Sequence, residues 1–209
     1  MVDREDPGGP SNGLGRYPFE LVDDVETTTG GTVHLRPIRP DDGRLLTQFH
    51  ENLSPQSVYR RFFFMHPRLS VTETEKFTHV DYVDRLALVA EHDDGLVAVG
   101  RYERIPGTAD AEVAFVVADD FQHQGIGTVL LERLAGAAWK HGITSFVAQT
   151  LSENGDMLEV FMRSGFHVTS TTERGTVSVR FPIQPDDAYR LAYAGRHQGR
   201  RAGREDTSS

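Results

Sequence analysis

The chain has 209 residues, 38% of them hydrophobic and 25% charged, a balance that fits one enzyme-sized domain with a substantial single core. It carries no cysteine, which excludes disulfides, thiolate zinc sites and a cysteine-bound acyl intermediate. The formal charge of −9 argues against nonspecific nucleic-acid binding and suits a cationic acceptor such as a lysine side chain. No apolar stretch approaches the length of a membrane span, and the start, Met1-Val2-Asp3-Arg4-Glu5-Asp6, is acidic and lacks a signal-peptide core. A cytoplasmic protein with no membrane partner is expected.

Residues 1–16 are Gly, Pro, Ser and charge and read as a disordered tail, so the folded part is expected over 17–182. Thr32 to Ile38 alternates as a first strand, and Pro40-Asp41-Asp42 offers a cap for a helix running to about Leu53. Ser54-Pro55 has the N-cap serine and first-turn proline of a second helix, through Phe63. Ser70-Val71-Thr72-Glu73 has capping-box spacing and starts a third. Two apolar runs, Leu86 to Glu91 and Leu96 to Tyr102, flank Asp93-Asp94-Gly95, a hairpin signal. A strand follows at about Ala111 to Ala118, then a helix-like run from Thr128 to His141. The remainder reads as a strand at Ser145 to Leu151, a helix at Asn154 to Ser164, and strands at Phe166 to Thr172 and Val177 to Phe181. The segment 183–209 is rich in Arg and Gly and reads as a solvated tail or, more sharply, as a docking segment for an acidic partner.

Gln122-His123-Gln124-Gly125-Ile126-Gly127 lies between that strand and the Thr128 to His141 helix, and reads as a phosphate cradle. The first turn of a helix leaves N–H groups without intrahelical partners and carries partial positive charge, so a pyrophosphate can sit there. Glycine at 125 and 127 removes bulk where the ligand would touch the chain. A Walker A loop would need Lys-Ser/Thr where Thr128-Val129 stand, and the dinucleotide fingerprint would need Gly or Ala where Leu130 stands.

What remains is Gln-x-x-Gly-x-Gly, which resembles the acyl-CoA pyrophosphate loop of the Gcn5-related N-acetyltransferase (GNAT) superfamily. A second segment, Asn154 to Phe166, is similar to that superfamily's Asn-x-x-Ala-x-x-Leu-Tyr-x-x-x-Gly-Phe signature, with Met157, Val160 and Phe161 at the Ala, Leu and Tyr positions. The resemblance implies an α/β (α+β) GNAT fold: a mixed, mostly antiparallel sheet with helices on both faces. Val33 to Asp42, Leu53 to Phe63, Asp81-Tyr82 and Leu86 to Ala90 resemble a narrower group, the catalytic domain of bacterial Pat-type protein lysine acetyltransferases. That group acetylates metabolic enzymes, including acyl-CoA synthetases, and many members carry a further domain for which this chain has no room.

The resemblance implies acetyl-CoA as cosubstrate, bound through Gln122, Gln124, Gly125, Ile126, Gly127 and Thr128. A backbone N–H near Val116 or Val117 would face the thioester oxygen, which gains charge in the transition state. Asn154 would bond the pantetheine arm; as a residue by itself it reads equally as an N-cap. Glu112 occupies the position of the family's general base, needed because a lysine amine near neutral pH is mostly ammonium. Its plainer reading is a strand residue facing solvent. Phe161 stands where many relatives have a proton-donating tyrosine and cannot donate, yet a thiolate with a parent pKa of about 8.5 is a tolerable leaving group. Tyr82 and Tyr59-Arg60-Arg61 fall in the elements that shape the acceptor side in relatives, or else serve packing and a solvated helix face.

The nine histidines show no metal-ligand spacing, so no metal is expected. The expected activity is acetyl transfer to protein lysines by direct attack in a ternary complex. A small-molecule amine acetyltransferase, a noncatalytic acyl-CoA sensor and an interaction protein with a vestigial fold are the alternatives.

Overall fold

The computed structural model describes residues 15–66 and 68–184. Apart from Gly15, Arg16, Ile183 and Gln184, the two expected tails lie outside the described residues.

After a short 3₁₀ turn at Phe19–Leu21 comes β1 (Asp23–Glu26), which pairs antiparallel with β2 (Thr32–Pro37). The sequence did not announce β1: only Val25 of its four residues is buried, so it carries no alternation to read. A short 3₁₀ turn at Pro40–Asp42 leads into α1 (Gly43–Asn52). In α2 (Pro55–Phe62) the expected cap is present, with the Ser54 hydroxyl accepting from the Ser57 N–H at 3.2 Å, and the helix stops at Phe63 in the left-handed region, φ 64°. The Ser70–Glu73 capping box starts α3 (Val71–Thr78), with bonds of 2.9 and 3.2 Å in the two directions.

β3 (Arg85–His92) and β4 (Gly95–Arg104) form the expected hairpin, turning through Asp93 and Asp94 at φ 47° and 62°. Positive φ at both central residues matches the right-handed strand twist. Next come β5 (Asp110–Val117), α4 (Ile126–Lys140), β6 (Ser145–Leu151), α5 (Gly155–Arg163), β7 (Thr169–Glu173) and β8 (Thr176–Pro182).

The eight strands of the described residues form one sheet in the order β1-β2-β3-β4-β5-β6-β8-β7, antiparallel everywhere except between β5 and β6. This is the mixed, mostly antiparallel sheet that the family resemblance implied. Leu86 to Ala90 of β3 are at most 1% exposed although they point alternately to both faces, so both faces are covered. Helices α1, α2 and α3 lie over one face, and α4 with α5 over the other. The alternation sorts β5 accordingly: Phe115 meets Phe161 of α5 at a ring separation of 6.3 Å, while Glu112, Ala114 and Val116 point to the α2 side.

Candidate active site

The parallel pairing of β5 and β6 is brief. Asp110, Ala111 and Glu112 stand opposite Ser145, Phe146 and Val147, and the register goes no further although β5 continues to Val117 and β6 to Leu151. Beyond Glu112 the two strands part and leave a cleft of about 390 Å³. Val113 to Val117 form one wall and Ala148 to Thr150 the other. A strand stripped of its neighbour exposes backbone donors and acceptors, which an extended ligand can use as a further strand would.

Which backbone groups face the gap follows from the ladder. The Ala118 N–H donates to Val97 O of the β4 side at 2.8 Å, and Thr144 N–H on the β6 side donates to Ala109 O at 2.7 Å. Alternation then turns the backbone of Val113, Phe115 and Val117 to the cleft and that of Val116 to β4. Of the two expected oxyanion donors, Val117 and not Val116 has an N–H aimed at the cleft; Val116 contributes its side chain to the wall.

At the far end of β5 lies the predicted cradle. A 3₁₀ turn at Asp119–Phe121 precedes Gln122, and the chain passes through His123 at φ 59° and Gly125 at φ 80° before α4 begins at Ile126. The first intrahelical bond is Val129 N–H to Gly125 O at 3.2 Å, and no side chain caps the helix. The N–H groups of Gly125, Ile126, Gly127 and Thr128 therefore stand open at the cleft. A Cβ on Gly127 would meet only Val160 Cγ2, at the ordinary contact distance of 3.4 Å, so protein packing alone does not require this glycine.

With this cleft and cradle in place, the acetyltransferase (GNAT) family model matches residues 52–166. The chain belongs to this family. It is 31% identical over 166 residues to acetyltransferase Pat of Mycolicibacterium smegmatis, covering 78% of this chain and 49% of that protein. It thus spans about half the length of that relative. An acetyltransferase of Pseudomonas aeruginosa is 29% identical over 156 residues, covering 73% of this chain and 81% of the relative. The crystal structure of the GNAT domain of S. lividans PAT superposes with a TM-score of 0.75 at 39% identity, covering 80% of this chain and 99% of that one.

Around this GNAT cleft the other expected residues separate into two groups. Glu112 is exposed and lines the cleft at the point where the strands part. Gln122 lines it too, but its amide donates to Val117 O at 3.1 Å and Ser57 Oγ at 3.2 Å, which braces the cradle against β5 and α2. Gln124 does not line the cleft: its amide nitrogen donates to Asp120 O at 2.9 Å, and its side-chain oxygen accepts from Thr29 Oγ1 at 2.9 Å. Its side chain ties the loop to Asp120 and to the β1–β2 turn. Asn154 is buried on the cleft and caps α5, accepting from Met157 N–H at 3.3 Å, which leaves its amide N–H donors available. Phe161 is 1% exposed, packed against Phe115 and Phe181, and also lines the cleft.

The structure adds residues that motif reading did not reach. The turn between β1 and β2 bonds to the cradle, with Thr28 N–H donating to Gln124 O at 3.1 Å. Asp119 accepts from Ser54 Oγ, Ser54 N–H and Ser57 Oγ at 2.7, 3.0 and 2.9 Å, and so joins α2 to the cradle. Burial pushes this carboxyl up, but the Ser54 and Ser57 bonds outweigh it and hold it below the usual range. On β6, the Thr150 hydroxyl is buried at the cleft wall without a hydrogen-bond partner among the described residues. A buried unpaired hydroxyl is rare unless a ligand or water completes it. Arg60 donates to Asp156 at 3.1 Å across the cleft mouth. Among the described residues no group of three or more potential metal-ligating side chains exists.

Proposed function

We propose that the chain is an acetyl-CoA-dependent N-acetyltransferase whose acceptors are lysine amines of proteins. The observation that carries this reading is the position of Glu112: an exposed carboxylate at the last paired residue before β5 and β6 part. Val117 lies five residues further along the strand, roughly 16 Å at about 3.3 Å per residue. A pantetheine arm entering from the Gly125–Thr128 amides, which would hold the pyrophosphate, would run along this stretch and bring its thioester between the Val117 N–H and Glu112, which acts through water.

The chemistry then needs few groups. Glu112 takes a proton from the acceptor ammonium through water, and the neutral amine attacks the thioester carbonyl. A cleft-facing N–H of β5 holds the carbonyl oxygen as it gains charge. The C–N bond forms, the C–S bond breaks, the nitrogen releases its second proton to solvent, and CoA leaves as a thiolate that solvent protonates, since Phe161 offers no donor. Both substrates are bound together, because no cysteine exists to carry the acetyl group. Thr150 Oγ1 and the Asn154 amide are available to bond the pantetheine amides.

A protein acceptor is supported by the surface beside the cleft. Phe63 lines it, and Phe63, Phe64 and Met65 are 37%, 55% and 64% exposed, an apolar edge of the kind that contacts another macromolecule. Acyl-CoA synthetases are one acceptor class that the Pat likeness suggests, with the cytoplasm as the compartment.

The test is incubation of the protein with labelled acetyl-CoA and host lysate, comparing wild type with Glu112→Ala. Label on protein lysines that depends on Glu112 supports the reading. CoA binding without protein label would shift it to a small-molecule amine enzyme, or to a sensor that does no chemistry.

A further inference from the structure

Two arginines on the α2 side of the sheet, Arg61 and Arg101, have no part in the proposed reaction. Arg61 stands in the last turn of α2 and lines the cleft, close enough to Glu112 for their charges to interact. Behind it lies a second cavity of about 40 Å³, which Arg61 shares with Arg101 and Val116. The sheet explains the grouping, because Arg101 stands opposite Ala114 and Glu103 opposite Glu112 in the β4–β5 register, all on the α2 side.

Neither guanidinium has a carboxylate within 4.0 Å among the described residues. Arg61 packs over the Phe62 ring at 5.0 Å. Arg101 lies 4.0 Å over the Phe77 ring and gives one hydrogen bond, to Phe77 O at 3.0 Å. Other arginines of the chain behave differently: Arg36 holds Asp42, Arg60 holds Asp156 and Arg104 holds Asp84. The nearby Glu103 is exposed and stands 3.6 Å from Lys76 instead. Burial pushes both cations down, Arg101 to about 9, and Arg61 adds to the effect on Arg101.

A guanidinium has five N–H donors and no acceptor, and both of these are half-buried, with Arg61 on the cleft wall holding donors that a ligand can use. Glu112 does not supply the partner, since it stands beyond ion-pair distance and its proposed role needs a free lone pair. The CoA pyrophosphate has donors of its own in the open N–H groups of Gly125 to Thr128. What is missing is an anion arriving with the acceptor, and a polyanion is disfavoured by the net charge of −9.

We propose that Arg61, backed by Arg101, reads a carboxylate on the acceptor: an acidic residue next to the lysine that is acetylated. This rests on the lysine acetyltransferase reading above. Arg61 forms the charge-assisted bond and Arg101 is a positioning residue, whose like charge behind Arg61 favours its extension toward the cleft.

The experiment uses the full chain, acetyl-CoA and two acceptor pairs. One pair is a peptide with a single lysine flanked by Asp, and the same peptide with Asn. The other is a small primary amine carrying a carboxylate, and its carboxamide. Thiol release gives kcat/KM for each. Wild type is expected to favour the Asp peptide by about tenfold, the effect of one hydrogen bond to a charged group. Arg61→Gln brings the ratio close to one, and Arg61→Lys, which keeps the charge, retains part of it. Equal values for the Asp and Asn peptides in wild type, or a ratio that survives Arg61→Gln, overturn the inference. Should only the small amines react, the protein-lysine reading fails, and the carboxylate-to-carboxamide ratio decides the role of Arg61 separately. Reaction of neither pair removes both.

Discussion

The carboxylate of Asp119 accepts both the hydroxyl and the backbone N–H of Ser54, at 2.7 and 3.0 Å. The same Ser54 hydroxyl accepts from Ser57 N–H, so one residue caps α2 and fastens it to the loop that leads into the cradle. The bonds hold only while Asp119 is ionised. Its native pKa is depressed below the ordinary aspartate value of about 3.9, so the bonds add stability that is complete above that value. That stability is lost as pH falls from there through the depressed native value. Thermal melts at decreasing pH should therefore show a steeper loss below about pH 4 in wild type than in Asp119→Asn, which cannot titrate. Parallel curves for the two proteins would count against the attachment.

Glu112→Gln keeps the size of the side chain and removes the base. Steady-state kinetics should show kcat lower by about 10²- to 10⁴-fold, with the KM for acetyl-CoA little changed, because the cradle lies at the other end of β5. A variant that loses only acetyl-CoA affinity would place Glu112 in binding and not in proton transfer.

The two cradle glycines should respond differently. Gly125 has φ 80°, and a Cβ there would stand 3.2 Å from Thr28 Cγ2. Gly125→Ala should destabilise the protein by about 1–2 kcal/mol from the left-handed backbone, with the contact adding to it. Thr28→Ser in the same chain removes that methyl and should return the contact part alone. Gly127→Glu meets no such obstacle in the protein, and should fold with a near-normal melting temperature while losing CoA binding through bulk and like charge. Calorimetric melts and CoA titration of these variants separate the two roles.

Away from the cleft, Arg36 and Asp42 form a bidentate pair of 2.7 and 2.8 Å, each 4% exposed, joining β2 to the turn before α1. Burial works against the Arg36 charge, but the Asp42 and Glu91 bonds outweigh it and raise the guanidinium above its ordinary value. Asp42→Ala leaves a buried cation with only part of its counter-charge, and denaturant unfolding should show a loss of about 3–5 kcal/mol. A loss below about 1 kcal/mol, the range of a surface pair, would mean that water reaches Arg36 in solution.

Much of this molecule was legible in order along the chain. The caps at Ser54 and Ser70, the turn at Asp93-Asp94 and the strand Ser145–Leu151 match their local signals, because a cap or a tight turn is made by residues within one helical turn of each other. The cradle was readable for the same reason: a glycine-bearing loop and open helix N–H groups lie within a few residues. Even so, that reading did not distinguish Gln124, which ties the loop, from its neighbours that face the cleft.

What the sequence by itself determined is therefore most of the elements after β1, their alternation and the glycine-bearing loop that opens α4. Only the tertiary structure decided that β5 and β6 separate after Glu112, that Thr28 braces Gly125, and that Arg61 stands beside Arg101 without a carboxylate partner. Each of these joins segments distant in sequence, and a residue's type does not say which distant residue will fill its surroundings. The parting of two strands depends on how helices on both faces hold the sheet, and that is a property of the packed core, not of any short stretch of chain.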